Sequence, residues 1–110
     1  MDREVAGEGR RSIIALMLGA LLTTQDAAAA GDALGRALYT NCAPCHGRSG
    51  EGGFAPALAH NPHLADPRYV LSKIRRGSAV MPPFGEQLTG REIAAVVAFL
   101  RSPELQAHRP

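Results

Sequence analysis

Two cysteines and a histidine lie close together in the stretch Asn41–Gly47, which reads NCAPCHG. Cys42 and Cys45 are three positions apart, so their thiols lie one helical turn apart, and His46 follows directly. Three kinds of site use such a pattern: a redox dithiol, part of a zinc site, and an attachment point for haem. The rest of the sequence has to distinguish them.

Two of these three kinds of site find little support elsewhere in the sequence. A redox dithiol of the thioredoxin type belongs near a βαβ pattern, and no convincing strand is predicted in this chain. A structural zinc site needs four ligands, so His60, His63 or His108 would have to complete it. Three ligands on so tight a turn can hardly all point at one tetrahedral ion. Both alternatives stay open, but neither is favoured.

Attachment of haem suits the same spacing. The thiols of Cys42 and Cys45 can each add to one vinyl group of a porphyrin, and His46 then directs its imidazole at the iron. The pattern is a strong indication in a small exported domain without strands. We therefore predict one haem c, with its iron, bound covalently through Cys42 and Cys45 and ligated by His46.

A haem iron with one histidine ligand either has a second ligand or keeps an open position. Met81 is the one methionine after residue 30, because Met1 and Met17 lie in the N-terminal segment. Two prolines follow Met81, and they stiffen its loop and favour an extended backbone. We predict that the thioether of Met81 is the second iron ligand, on the face opposite His46. The alternative is that Met81 only fills apolar space.

Further residues of the site can be named together with their alternatives. An axial histidine usually donates its second ring N–H to a carbonyl, and we expect Pro56 to accept it from His46; alternatively, Pro56 only shapes its turn. His60 and His63 are alternative iron ligands, but the sequence HNPH suits an exposed loop. Six apolar side chains are expected to form the wall of a haem pocket, or alternatively to be generic core: Leu58, Val70, Leu71, Ile74, Phe84 and Val97.

The N-terminal segment has the three parts of a secretory signal peptide. Arg10 and Arg11 precede an apolar run of about ten residues, SIIALMLGALL, and a run of four alanines ends at Ala30. A membrane anchor is the alternative, but crossing a bilayer takes roughly 20 apolar residues. We predict a cleaved signal over residues 1–30 and one domain over residues 31–110. The mature protein is expected to be soluble in the periplasm, with no stable membrane insertion.

Charge and composition narrow the function further. After residue 30 there are nine Lys and Arg against six Asp and Glu, which leaves a net charge of +3. No basic block is present, so nucleic acid is not expected as a partner. A domain of roughly 80 residues with no Trp and few aromatic residues has a marginal hydrophobic core. We expect a bound group to complete the interior.

Two helices are predicted in the first part of this domain. The first runs from about Asp32, as its N-cap, to Asn41. The second runs from Pro67 to Arg76, because Asp66 can cap its start, proline suits the first helical position, and Gly77 can end it.

A third helix follows, and the domain is therefore expected to be all-α. It begins with the capping box of Thr89 and Glu92 and continues through an apolar stripe at helical spacing. Pro103 is expected to stop it. Segments rich in Gly and Pro flank the middle helix and predict two long irregular loops.

The order of these motifs resembles that of the class I monohaem cytochromes c. The matching stretches are Cys42–Gly47, Pro56–Leu58, Met81–Pro83 and the helix end VVAFLR, and the resemblance covers nearly all of Gly31–Ser102. It implies the same cysteine attachment and the same two axial ligands as predicted above.

The resemblance also implies a fold. In a small cytochrome c fold, a haem-filled core is surrounded by long irregular loops, and the N-terminal helix crosses the C-terminal helix. Here the crossing would join Leu34–Tyr39 to Val96–Leu100. The aromatic residue that is often found four positions before the first cysteine is Leu38 in this chain, with Tyr39 one position later.

Two axial ligands would leave the iron no position open for a substrate, so the sequence predicts an electron carrier and not an enzyme. We expect it to exchange single electrons with donor and acceptor redox proteins through an exposed haem edge. The first alternative is a dedicated cytochrome subunit of a periplasmic dehydrogenase or other oxidoreductase. The second, a haem-based sensor, would require a displaceable Met81.

Overall fold

Helices and loops make up residues 31–107, the part of the chain that this computed structural model describes, and no strand occurs there. The all-α fold class is therefore confirmed. The predicted signal segment 1–30 and His108 lie outside the described residues. The helices are α1 (residues 31–39), α2 (Ala43–His46), a short 3₁₀ helix (Pro62–Ala65), α3 (Pro67–Arg76), α4 (Gly90–Leu100) and α5 (Pro103–Gln106).

Helix α3 has the bounds that the sequence predicted. The carboxylate of Asp66 accepts hydrogen bonds from the backbone N–H groups of Arg68 and Tyr69, which have no partner within the helix. Gly77 ends the helix with a φ of +67°, a conformation that favours glycine. The residues that follow, 77–89, form a loop that we call the Met81 loop.

Helix α4 starts with the predicted capping box. The Thr89 hydroxyl accepts from the Glu92 N–H at 3.1 Å, and the Glu92 carboxylate accepts from the Thr89 N–H at 2.9 Å. The helix ends at Leu100, and Pro103 begins α5 instead of only stopping α4. Proline is well suited to a first helical position, because the N–H that it lacks would have no helical partner there.

Helix α1 differs from its prediction at both ends. Residue 31 is already helical, so Asp32 lies inside the helix and is not its N-cap. At the other end the helix stops at Tyr39 instead of Asn41. The Thr40 hydroxyl donates to the Ala37 carbonyl at 2.7 Å, and the Asn41 amide donates to the Leu38 carbonyl at 3.0 Å. The same two carbonyls also accept from the backbone N–H groups of Thr40 and Asn41, at 3.3 and 3.1 Å, so side-chain and backbone bonds together close the last turn.

Helices α1 and α4 meet through a glycine and two aromatic rings. A Cβ added to Gly35 would lie 2.8 Å from the Cβ of Phe99 and still closer to the Ala95 carbonyl oxygen. One turn later, the rings of Tyr39 and Phe99 pack with their centroids 5.3 Å apart. The predicted crossing of the two helices is present, and Tyr39 supplies its aromatic residue while Leu38 is half-buried.

The hydrophobic core is built around α4, which packs against α3 and α5. Within the described range, no helix has both the length and the apolar character needed to cross a membrane. The loop between α2 and the 3₁₀ helix, residues 47–61, is called the His46 loop below. The buried core consists of Tyr39, Leu64, Val70, Ile74, Ile93, Val96, Val97, Phe99, Leu100 and Leu105.

Candidate functional site

The two cysteines and His46 lie on a single helical turn. Cys42 is the N-cap of α2, and its carbonyl accepts from the His46 N–H at 2.9 Å and from the Cys45 N–H at 3.2 Å. The two sulfur atoms therefore stand one turn apart on the same helix. Cys42 is half-buried against the core and Cys45 is exposed, so this turn can present both sulfurs along one edge of a flat group.

The imidazole of His46 is oriented by the backbone of the His46 loop. Its Nδ1 lies 2.7 Å from the carbonyl oxygen of Pro56. Because a carbonyl can only accept, Nδ1 carries the proton and Nε2 keeps its lone pair free for a metal. The contact is the one that the sequence led us to expect, and it is the arrangement typical of a metal-ligating histidine.

The loop that carries Pro56 is hydrogen-bonded to the CxxCH turn. The Ala55 N–H donates to the Cys45 carbonyl at 2.9 Å, and the Gly52 N–H donates to the His46 carbonyl at 2.8 Å. Both donors precede Pro56 in the chain, so these bonds tie the segment that leads into Pro56 to the CxxCH turn and hold its carbonyl near the imidazole.

A tyrosine hydroxyl holds the other end of the turn, a contact that was not predicted from the sequence. Tyr39, only 3% exposed, donates from its hydroxyl to the Gly47 carbonyl at 2.6 Å. Burial is the main cause that raises the pKa of this phenol to about 12. The one available signal was the spacing of Gly35 and Tyr39, which places a small residue and a ring on one helix face.

The electrostatics of Cys42 do not suit a redox dithiol. Burial raises the pKa of its thiol, and the neighbouring Cys45 adds to the rise. Attacking cysteines of dithiol enzymes instead have a lowered pKa, because the thiolate is the nucleophile. Cys42 is therefore not suited to be the attacking thiol of a redox dithiol.

The Met81 loop is fastened to the end of α3. The N–H groups of Phe84 and Gly85 donate to the carbonyls of Ile74 and Arg75, which have no partner within the helix. The half-buried side chain of Met81 packs against the same core cluster as Cys42.

Gly77 is required for the path of this loop. A Cβ at this position would lie 2.8 Å from Pro83 N and 2.9 Å from Pro82 C, and closer still to the Met81 carbonyl oxygen. The Ser78 N–H donates to that carbonyl at 3.0 Å. The backbone of Met81 is thus held by a tight turn.

The side chains around these groups fit a haem. The donor set is an imidazole with a free Nε2, a thioether and two thiols, which is the set that c-type haem ligation uses. The six residues predicted as pocket wall all belong to the core or pack on it: Val70, Ile74 and Val97 are buried, and Leu58, Leu71 and Phe84 are half-buried.

His60 and His63 are the other histidines within the described range. His60 and His63 are both exposed, and the ring of His63 stacks on Tyr69 with centroids 4.6 Å apart. Among residues 31–107, no group of three or more His, Cys, Asp and Glu side chains is placed to hold a metal ion. The zinc alternative therefore has no support in this range, and His108 lies beyond it.

Comparisons with known proteins agree with the geometry. Residues 26–100 match the family model described as "Cytochrome C oxidase, cbb3-type, subunit III". No curated protein matches the sequence.

A solved structure is also similar to this chain: cytochrome CL from the marine methylotrophic bacterium Methylophaga aminisulfidivorans. The two sequences are 27% identical, and the structures align with a TM-score of 0.59 over 70% of this chain and 61% of that chain. This chain thus spans 61% of the length of that relative. The family match and the CxxCH motif together show that the chain belongs to the cytochrome c family and is a monohaem c-type cytochrome with covalently attached haem c.

Proposed function

We propose that this protein carries single electrons between redox proteins in the periplasm, with its haem attached through Cys42 and Cys45 and its iron held by His46 and Met81. The observation that carries the assignment of His46 is the hydrogen bond from its Nδ1 to the Pro56 carbonyl, since it leaves Nε2 free for the metal. The assignment of Met81 is supported by its packing on the same core cluster as Cys42. The bound haem supplies a one-electron couple.

Each residue has a separate role in this proposal. The Pro56 carbonyl keeps the imidazole of His46 in one orientation and raises its basicity as a ligand. The thioether of Met81 raises the reduction potential relative to a second histidine. The apolar core against which Met81 and Cys42 pack would keep water away and lower the local dielectric constant, so that little reorganisation accompanies electron transfer.

Two protein ligands also explain why we propose a carrier without catalytic turnover. If His46 and Met81 both held the iron, they would leave no position for a substrate. The scattered charge supports redox proteins and not nucleic acid as partners. Export to the periplasm, cleavage of residues 1–30 and the absence of stable membrane insertion rest on the sequence of that segment.

A second candidate is a dedicated subunit of a larger oxidoreductase. It is favoured by the matching family model, whose description names an oxidase subunit. Purification from the native host at high salt distinguishes the two. A subunit stays bound to its complex, whereas a shuttle that docks through charged groups dissociates.

The ligand assignment predicts the result of substituting Met81. The exported wild-type protein should show covalent haem by mass and a long-wavelength methionine-to-iron charge-transfer band. Met81→Ala should abolish that band, allow carbon monoxide to bind the reduced iron, and lower the reduction potential. The shift should be a measurable part of the roughly 0.8 V over which axial ligands set haem potentials.

Val80→Ala is the matched control, because Val80 is adjacent in the loop and 83% exposed. It should keep the band and the potential of the wild type. If Met81→Ala retained the charge-transfer band, Met81 would not be the ligand. If the wild type itself readily bound carbon monoxide, a haem-based sensor would be the better assignment.

A further inference from the structure

The side-chain amide of Gln106, in α5, uses all of its principal hydrogen-bonding groups. Its Nε2 donates to the Leu58 carbonyl at 3.2 Å and to the Leu100 carbonyl at 2.7 Å. Its Oε1 accepts from the His60 N–H at 2.7 Å. One orientation of the amide satisfies all three partners, whereas the reversed orientation would oppose like groups at each of them. Gln106 therefore ties the end of α4 to the His46 loop.

The segment that Gln106 holds is the one that presents the Pro56 carbonyl. Two residues further along, the N–H of Leu58 donates to the Gly50 carbonyl at 2.8 Å. One residue before Pro56, the N–H of Ala55 donates to the Cys45 carbonyl. Pro56 is thus fixed on one side by the CxxCH turn. On its other side it is held by the hydrogen bonds that Leu58 makes with Gly50 and with Gln106.

Helix α5 is itself held in place from two directions. Arg36 of α1 forms two hydrogen bonds with the Glu104 carboxylate, at 2.8 and 2.6 Å. Leu105 is 1% exposed, and a Cβ at Gly50 would lie 3.2 Å from its Cδ1. The ion pair is exposed and contributes little energy, so the buried leucine supplies the firmer anchor.

We propose that Gln106 is a positioning residue for His46. By fixing Leu58 and His60, it sets the distance between the Pro56 carbonyl and the imidazole Nδ1, and with it the strength of His46 as an iron ligand. This inference rests on the proposed function, because it requires that His46 bind the iron.

The direction of the effect follows from the hydrogen bond. A carbonyl that accepts the Nδ1 proton makes the imidazole a stronger donor, which favours the ferric state. Loosening the loop weakens that bond, so the ferric state loses stability relative to the ferrous state. The reduction potential should therefore rise when Gln106 is removed.

The experiment replaces Gln106 with methionine, which has a similar length and cannot make the three hydrogen bonds. In the diamagnetic ferrous protein, NMR follows exchange of the His46 ring N–H with solvent. Gln106→Met should speed this exchange on the order of tenfold and raise the reduction potential.

Two control variants separate positioning from stability. Gln87→Ala removes an exposed glutamine whose side chain has no hydrogen bond among residues 31–107. Arg36→Ala removes the α5 ion pair without touching the His46 loop. Neither should change the exchange rate or the potential, even where Arg36→Ala lowers the melting temperature. A Gln106→Met protein that is only less stable, with unchanged exchange and potential, would overturn the proposal.

A measurement on the unmodified protein keeps the proposal testable if Gln106→Met does not fold. Native-state hydrogen exchange should show that the His60 amide and the His46 ring N–H open together, with the same dependence on denaturant. If exchange of the His60 amide and exchange of the His46 ring N–H depended differently on denaturant, the proposal would be overturned. If the wild-type spectrum showed that no histidine binds the iron, the proposed function would fail first, before any comparison of variants.

Discussion

The phenol of Tyr39 links the stability of the CxxCH turn to pH. Its pKa is raised from 10.0 to about 12, mainly by burial, so folding favours the neutral form. A group of this kind contributes fully below its unfolded pKa, and its contribution is lost as pH rises through the folded value. We expect the free energy of unfolding to fall between pH 10 and 12, as measured by denaturant titrations of the protein at a series of pH values.

Tyr39→Phe is the control for this prediction. It removes the ionisable group and the hydrogen bond to Gly47, and should cost about 1 kcal/mol at neutral pH. Its stability should then vary less between pH 10 and 12 than that of the wild type. An equal loss of stability in both proteins would show that another group titrates.

At the scale of single residues, the sequence predicted what local spacing encodes. Residue type and order along the chain are enough to single out the two cysteines, His46 and Met81 as candidate site residues. The hydrogen bonds of the Gln106 amide could not be predicted, because its partner Leu58 lies 48 positions away. Nothing in the local sequence distinguishes this glutamine from one that is simply exposed.

At the scale of elements, helices with strong end signals were predicted best. The bounds of α3 follow from Asp66 and Gly77, which act within a few residues of the helix that they limit. Helices α2 and α5 have four residues each, too few to show a helical period. They exist because tertiary contacts hold them, as Leu105 shows by its burial.

The contact between α1 and α4 predicts the effect of a single methyl group. Gly35→Ala would place a Cβ within 2.8 Å of the Phe99 Cβ, where the helices have no room to accept it. We expect a loss of about 1–3 kcal/mol in the free energy of unfolding, because the helices must separate or shift. The measurement is chemical denaturation followed by circular dichroism.

A second glycine gives the matched control. A Cβ at Gly90, the first residue of α4, would meet only the flexible end of Arg75, at 3.5 Å. Gly90→Ala should therefore be neutral, or stabilising by up to about 1 kcal/mol. Equal effects of the two substitutions would contradict close packing at Gly35.

At the scale of the whole molecule, the hydrophobic core is small, and we expect burial against the haem to contribute part of the free energy of unfolding. Leu58, Leu71, Met81 and Phe84 are only half-buried by protein atoms. Full burial of such a side chain contributes about 1.5–3 kcal/mol. Because protein atoms already cover most of each side chain, cover by a haem would add on the order of 2–4 kcal/mol for the four together. This is a sizeable part of the stability of a typical domain, which is about 5–15 kcal/mol.

We therefore expect the protein without haem to lose cooperative folding. Cys42→Ala/Cys45→Ala, which cannot form thioethers, should retain part of its helical circular dichroism but show no sharp thermal transition. The wild-type sequence produced in cells without cytochrome maturation is the control, because it differs from the holoprotein only in the haem. It should behave like the double variant. A haem-free protein that unfolds cooperatively near the melting temperature of the holoprotein would mean that the polypeptide core suffices by itself, and that these four side chains do not depend on the haem for their burial.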